Sequence, residues 1–181
     1  MISLILTRSS FSYVHCYRCN NRRYWPDSEG LTKSYGDCVV TWVRTDDLGS
    51  HVVRELLLKH NKTKTTRTVR QVQYNDWPDH GVTETAPFLQ FLNTVERVER
   101  QGKSKASPLM VHCSAGVGRT GVFMLLRVVI DKLKRRIVPR LSDILVEMRR
   151  QRMLLVQTPS QFEFCFDAAM AALEDPSFEY Y

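Results

Sequence analysis

His112-Cys113-Ser114-Ala115-Gly116-Val117-Gly118-Arg119-Thr120-Gly121 is the stretch on which the architecture of this chain turns. It follows Pro108-Leu109-Met110-Val111-His112, which reads as a short buried strand, and precedes an apolar helical pattern running to about Leu133. A strand that turns into a helix through glycines aims several backbone N–H groups and a helix N-terminus at one point, which makes an anion site. Gly116 and Gly118 permit the tight bend. Cys113 stands at the start of this nest, where positive potential favours thiolate over thiol and makes a nucleophile at neutral pH. Six positions on, Arg119 can offer its planar fork to two oxygens of a tetrahedral phosphate, which a lysine could not do. His112 suits either of two roles, tuning the thiolate from behind or a satisfied histidine at a strand end.

Two other phosphate loops compete for the same residues. Gly116-Val117-Gly118-Arg119-Thr120-Gly121 matches the dinucleotide fingerprint GxGxxG, which requires an acidic residue at the end of a second strand. Asp143 lies 22 positions past Gly121, but within a helical pattern and just after Pro139, so that reading fails. A nucleoside-triphosphate loop fails because Arg119 stands where its lysine belongs.

Upstream, residues 36–44, 51–59 and 66–74 are rich in β-branched and aromatic residues with partial alternation, which predicts strands. Asp46-Asp47-Leu48-Gly49-Ser50 supplies a hairpin turn. From Thr85 the period becomes helical: Pro87 suits the first helical position, Phe88, Leu92, Val95 and Val98 share a face, and Gly102 suits the stop. Further helices are expected over 142–151 and 159–173, the last opened by Thr158, Pro159 and Gln161 as a capping box. Strands first and helices afterwards predict an α+β fold, a mixed α/β-type sheet flanked by helices, in one domain over 1–181.

Composition agrees with one soluble domain: the chain has 181 residues, 43% hydrophobic and 25% charged, and no apolar run long enough to span a membrane. The net charge of +7 favours anionic partners. A basic run of Lys132, Lys134, Arg135, Arg136 and Arg140, followed by Arg149, Arg150 and Arg152, reads as a solvated face, and no nucleic-acid-binding motif accompanies it. Of the five cysteines, Cys16 and Cys19 form a lone CxxC, read as two ordinary thiols rather than a zinc site. The first 26 residues carry Arg8, Arg18, Arg22 and Arg23 and no acid, as a transit peptide would, but Ile2-Ser3-Leu4-Ile5-Leu6 looks like a short strand. The expected compartment is the cytoplasm.

With those residues in view, HCSAGVGRTG resembles the signature loop of the tyrosine-specific protein tyrosine phosphatases, in their non-receptor-like catalytic domain. Trp77-Pro78-Asp79-His80-Gly81, 34 residues before the cysteine, is similar to that family's mobile acid loop, and Gln157-Thr158-Pro159-Ser160-Gln161 to its glutamine loop. Tyr24-Trp25-Pro26, Tyr74 and the Met148–Met153 stretch also resemble family segments, so the likeness runs over roughly 24–173. The resemblance implies that Cys113 attacks phosphorus, that Arg119 and the loop amides of Ser114, Ala115, Gly116, Val117 and Gly118 hold the phosphoryl oxygens, and that Thr120 stabilises the departing thiolate. It implies that Asp79 is general acid and then base, that Gln157 positions water, and that Gln161 assists or only closes its capping box. No metal and no cofactor is implied, and the expected partners are phosphotyrosine-containing proteins or peptides.

The family's domain is longer on its N-terminal side, where an aromatic residue clamps the phosphotyrosine ring, and nothing before Tyr24 replaces that segment. An N-terminally truncated domain is therefore expected, with apolar faces such as that of the 122–130 helix less covered. A second reading follows from the same gap: a phosphotyrosine-binding or scaffold module with impaired chemistry.

Overall fold

The computed structural model describes residues 2–6, 23–101, 109–176 and 178. Its elements are β1 (Ile2–Leu6), β2 (Thr32–Tyr35), β3 (Cys38–Asp47), β4 (His51–His60), β5 (Thr66–Tyr74), α1 (Thr85–Gln101), β6 (Leu109–His112), α2 (Gly118–Lys134), α3 (Leu141–Gln151) and α4 (Pro159–Glu174). Cys16, Cys19 and the Gly102 stop lie outside the described residues.

Six strands form one sheet in the order β2-β3-β4-β5-β1-β6. The α+β class holds, and every neighbouring pair is antiparallel. The sheet is therefore antiparallel rather than the mixed one expected, because β1 inserts between β5 and β6, which run the same way and would otherwise have been the parallel neighbours. In register, Ser3 pairs with both Gln73 and His112, so β1 joins the long hairpin strands to the strand that delivers the cysteine.

Several boundaries move for local reasons. Gly36, at φ 59, turns β2 back on β3, so the strand expected from residue 36 begins at Cys38 and continues to Asp47. β2 itself is a four-residue edge strand of mostly exposed polar side chains, with no apolar alternation to announce it. α1 starts at Thr85, which puts Pro87 third rather than first; its missing N–H still falls in the first turn, where no intrahelical bond is lost.

The C-terminal half of β5, from Gln71 to Tyr74, is buried on both faces. Val72 and Tyr74 join a core with Phe88, Phe91 and Val95 of α1, Phe123 and Leu126 of α2, and Phe164 and Cys165 of α4. Successive strand residues point to opposite sides, so Val69, Gln71 and Gln73 face the other way, toward a smaller cluster of Trp25, Val40 and Leu56. The expected exposure of the 122–130 helix is not found. Val122, Phe123, Leu125, Leu126 and Val129 are all fully buried, and only Met124 and Val128 on that stretch are exposed, because α3 and α4 pack against α2.

Candidate active site

Cys113 follows β6 directly, and α2 begins at Gly118, so the sulfur sits at the mouth of a helix of 17 residues. Val117 at the helix cap makes no side-chain capping bond, so the first-turn N–H groups are not capped from within. Gly116, at φ 73, bends the loop back over the sulfur. Cys113 Sγ accepts a hydrogen bond from the Gly116 N–H at 3.3 Å and from the Thr120 hydroxyl at 3.1 Å. Burial pushes the Cys113 thiol up, but donation from the Thr120 hydroxyl and from the amides of Thr120, Gly116 and Val117 outweighs it and holds the thiol below its ordinary range. Cys165 is the control within the same chain: buried without such donors, it is pushed up to about 12. The Cys113 thiol is therefore primed as a nucleophile and the buried Cys165 thiol is inert.

Arg119 donates to the Pro78 carbonyl at 2.9 Å and lies over the Trp77 ring at 5.8 Å. That contact ties the 75–84 loop to the anion nest and leaves other guanidinium donors for a ligand. Trp77 is the anchor of the loop: its ring is buried against Phe88 and Phe164, and its indole N–H donates to the Gly81 carbonyl at 3.3 Å. Asp79, next to Pro78, is exposed and has no hydrogen-bond partner among the described residues.

Gln157 and Gln161 come over the same loop. A Cβ built at Gly118 would stand 2.7 Å from Gln157 Oε1 and 3.1 Å from Gln161 Nε2, so both side-chain amides lie directly against the loop at this glycine. Thr158 caps α4 by accepting from the Gln161 N–H at 3.2 Å, as expected. The other half of the box differs, because the Gln161 side chain accepts from the Gln157 N–H at 2.8 Å, holding the backbone of its neighbour instead of the cap residue. Upstream, Leu154 (φ 66) and Val156 (φ 57) are both left-handed, a strain of roughly 1–3 kcal/mol each. Arg149 holds this segment by donating to the carbonyls of Leu155 at 2.8 Å and Val156 at 2.6 Å, and the Val156 N–H donates to Val117 at 3.1 Å.

Gly121 permits that approach, since a Cβ there would run into the Val156 backbone nitrogen and stand 3.0 Å from the Leu155 carbonyl carbon. Gly121→Ala should therefore destabilise the chain by roughly 1–3 kcal/mol in urea unfolding. An unchanged midpoint would contradict the close packing of α2 on the 154–157 segment.

His112 ends a chain of donors that sequence spacing did not disclose. Its Nδ1 lies 3.2 Å from the Cys113 carbonyl, which can only accept, so Nδ1 carries the proton. Burial lowers the His112 pKa, keeping the ring neutral and Nε2 an acceptor. The Tyr24 hydroxyl, 2.8 Å from Nε2, therefore donates to it, and itself accepts from Gln71 Nε2 at 2.8 Å. Arg54 donates to Gln71 Oε1 at 3.2 Å and to Gln73 Oε1 at 2.7 Å, with its guanidinium over the rings of Trp25 and Trp42. The relay thus runs in one direction, from Arg54 to the carbonyl of the nucleophile. Because a planar peptide points its N–H opposite its C=O, fixing this carbonyl also fixes the Ser114 N–H.

Tyr24→Phe removes the central link, and each bond in such a chain strengthens the next. The Cys113 alkylation midpoint is expected to rise by about half a pKa unit to one unit. As the folded pKa rises, thiolate is lost first on the acid side, and rates converge with wild type above the midpoint. A fall in thermal stability with an unmoved midpoint would reduce the relay to packing.

Of the residues expected from sequence, the loop from Cys113 to Thr120 is met at Gly118 by Gln157 and Gln161, and Arg119 reaches the Pro78 carbonyl of the acid loop, while Asp79 itself is exposed and hydrogen-bonded to none of them. Tyr24, Gln71, Arg54 and Arg149 are additions. Of these, Tyr24 and Arg149 stood in segments that the sequence had marked, and Gln71 and Arg54 only within expected strands.

The sequence has counterparts among known proteins. Residues 11–171 match the family described as protein-tyrosine phosphatase. The chain is 40% identical over 152 residues to receptor-type tyrosine-protein phosphatase S of Gallus gallus, covering 83% of this chain and 10% of that protein. It is 40% identical over 153 residues to tyrosine-protein phosphatase non-receptor type 21 of Rattus norvegicus, covering 80% and 13%. It is 34% identical over 174 residues to receptor-type tyrosine-protein phosphatase eta of Gallus gallus, covering 92% and 12%. The chain thus spans about a tenth of the length of these relatives.

Proposed function

Since the chain belongs to the protein-tyrosine phosphatase family, we propose that it hydrolyses phosphotyrosine in proteins through a cysteinyl-phosphate intermediate, as a single catalytic domain over 1–181. The observation that carries this reading is the Cys113 sulfur held by the Gly116 amide and the Thr120 hydroxyl at the head of α2.

In the first step the Cys113 thiolate attacks phosphorus while Arg119 and the amides from Ser114 to Gly118 hold the three phosphoryl oxygens. The sulfur–phosphorus bond forms as the bond to the tyrosyl oxygen breaks. Phenol has a pKa of about 10, so its departure is helped by a proton from the Asp79 carboxyl. In the second step the Asp79 carboxylate takes a proton from water positioned by the Gln157 amide. The new oxygen–phosphorus bond displaces Cys113, and the Thr120 hydroxyl stabilises the returning thiolate. Gln161, bonded to the Gln157 backbone, positions that residue. Substrates of this chemistry are phosphotyrosine-containing proteins, as in signal transduction, and no step calls for a metal or cofactor.

A reducing cytoplasm suits a site built on a free thiol, and Cys38, Cys113 and Cys165 are all free. No helix among the described residues is long and apolar enough to cross a membrane.

The test is phosphate release by the purified chain from a phosphotyrosyl peptide and from its phosphoseryl counterpart. Release from the first alone is expected of a tyrosine-specific phosphatase. Saturable binding without release would overturn the hydrolase in favour of the phosphotyrosine-binding module.

A further inference from the structure

On the surface, α2 ends in a Schellman turn. The Arg136 N–H donates to the Leu133 carbonyl at 2.8 Å and the Ile137 N–H to the Lys132 carbonyl at 2.9 Å, with Arg136 in the left-handed region at φ 58. Such a turn is commonly closed by an apolar contact between the residue after the left-handed one and the start of the last helical turn. Here that start is Asp131-Lys132, which offers no apolar side chain, and Ile137 remains 48% exposed. Val138 beside it is 88% exposed, the most exposed large hydrophobic among the described residues. Two adjacent aliphatics are therefore held out to solvent on a hydrogen-bonded turn.

The charges around the tip that have no partner are all cationic. Lys134 is paired with Glu96 and Arg135 with Asp131. Lys132, Arg136 and Arg140 have no ion-pair or hydrogen-bond partner for their side chains among the described residues. The turn conformation costs something as well, since an arginine stands where glycine is usual.

We propose that the Lys132–Arg140 tip docks on an anionic lipid bilayer, with Ile137 and Val138 entering the interface and Lys132, Arg136 and Arg140 at the headgroup phosphates. Charge complementarity and shape select this occupant together. A protein partner takes about 800 Å² from each side, matched in shape, which two exposed aliphatics on a turn do not supply. A nucleic acid would satisfy the cations but leave both aliphatics in water. A bilayer needs no matched surface, and it takes apolar side chains and cations at adjacent depths. The net charge of +7 adds to the attraction. The inference rests on the turn and its charges, and is independent of the phosphatase reading.

Co-sedimentation of the whole chain with vesicles of phosphatidylcholine, with and without phosphatidylserine, tests it. Binding is expected only with the anionic lipid and should weaken with added salt. Each cation contributes about fivefold, so Arg136→Gln with Arg140→Gln should weaken partitioning about 25-fold. Val138→Asp should weaken it by about tenfold or more, while Val138→Leu should retain it. Thermal unfolding of each variant verifies that the exposed tip has been changed without loss of the fold. Equal sedimentation without phosphatidylserine, indifference to Val138→Asp, or no sedimentation of the folded chain would each overturn the proposal. So would tip-dependent capture of an acidic peptide or a nucleic acid in place of vesicles.

Discussion

Cys113→Ser is expected to bind a phosphotyrosyl peptide and to release its phosphate about 10⁴-fold more slowly or worse, since the activated thiol at the anion nest is gone while the nest remains. The binding half follows from geometry: the amides of the loop and the Arg119 guanidinium do not depend on sulfur. The catalytic half follows from chemistry, because the loop donors that hold the Cys113 thiol below its ordinary range start, for a serine, from a group far less acidic. Steady-state turnover paired with peptide titration separates the two effects. Wild-type turnover in this variant would remove Cys113 from the reaction, and loss of peptide binding would mean that the sulfur holds the loop together.

Asp79→Ala should slow turnover on a phosphotyrosyl peptide by roughly 10²–10⁴-fold with little change in KM. The exposed carboxylate is next to Pro78, whose carbonyl Arg119 holds, so the loop stays docked when the acid is removed. The loss should shrink with leaving groups of lower pKa, which need less protonation, and that trend distinguishes a general acid from a residue that merely shapes the loop. A uniform loss across leaving groups would assign Asp79 to loop structure instead.

What could be read locally was read well. The Cys113 nest, the Thr158 cap and the buried face of α1 each depend on spacings within a few residues, where backbone geometry is set by neighbours. The α+β class followed from the order of periodicities. Non-local pairing was much less legible. Ile2–Leu6 was recognisable as a strand, but nothing in five residues says that it inserts between β5 and β6. β2 lacks alternation because it is an exposed edge. The relay behind the cysteine joins Tyr24 to His112 across 88 residues, and Gln71 and Arg54 enter only because strand register sets them opposite each other on the same sheet face. The expected exposure of α2 failed for a related reason: α3 and α4 come later in the chain and cover it whatever lies before Tyr24.

The central claim is covalent, and trapping the intermediate tests it most directly. Gln157→Ala, which removes the amide that positions water, should slow the second step more than the first and let the phosphoenzyme accumulate. Mixing that variant with a peptide radiolabelled on its phosphotyrosine, quenching within one turnover and mapping the label should place it on the Cys113 peptide as an S-phosphate. Label on another residue, or free phosphate appearing with no labelled protein at any time, would contradict the account.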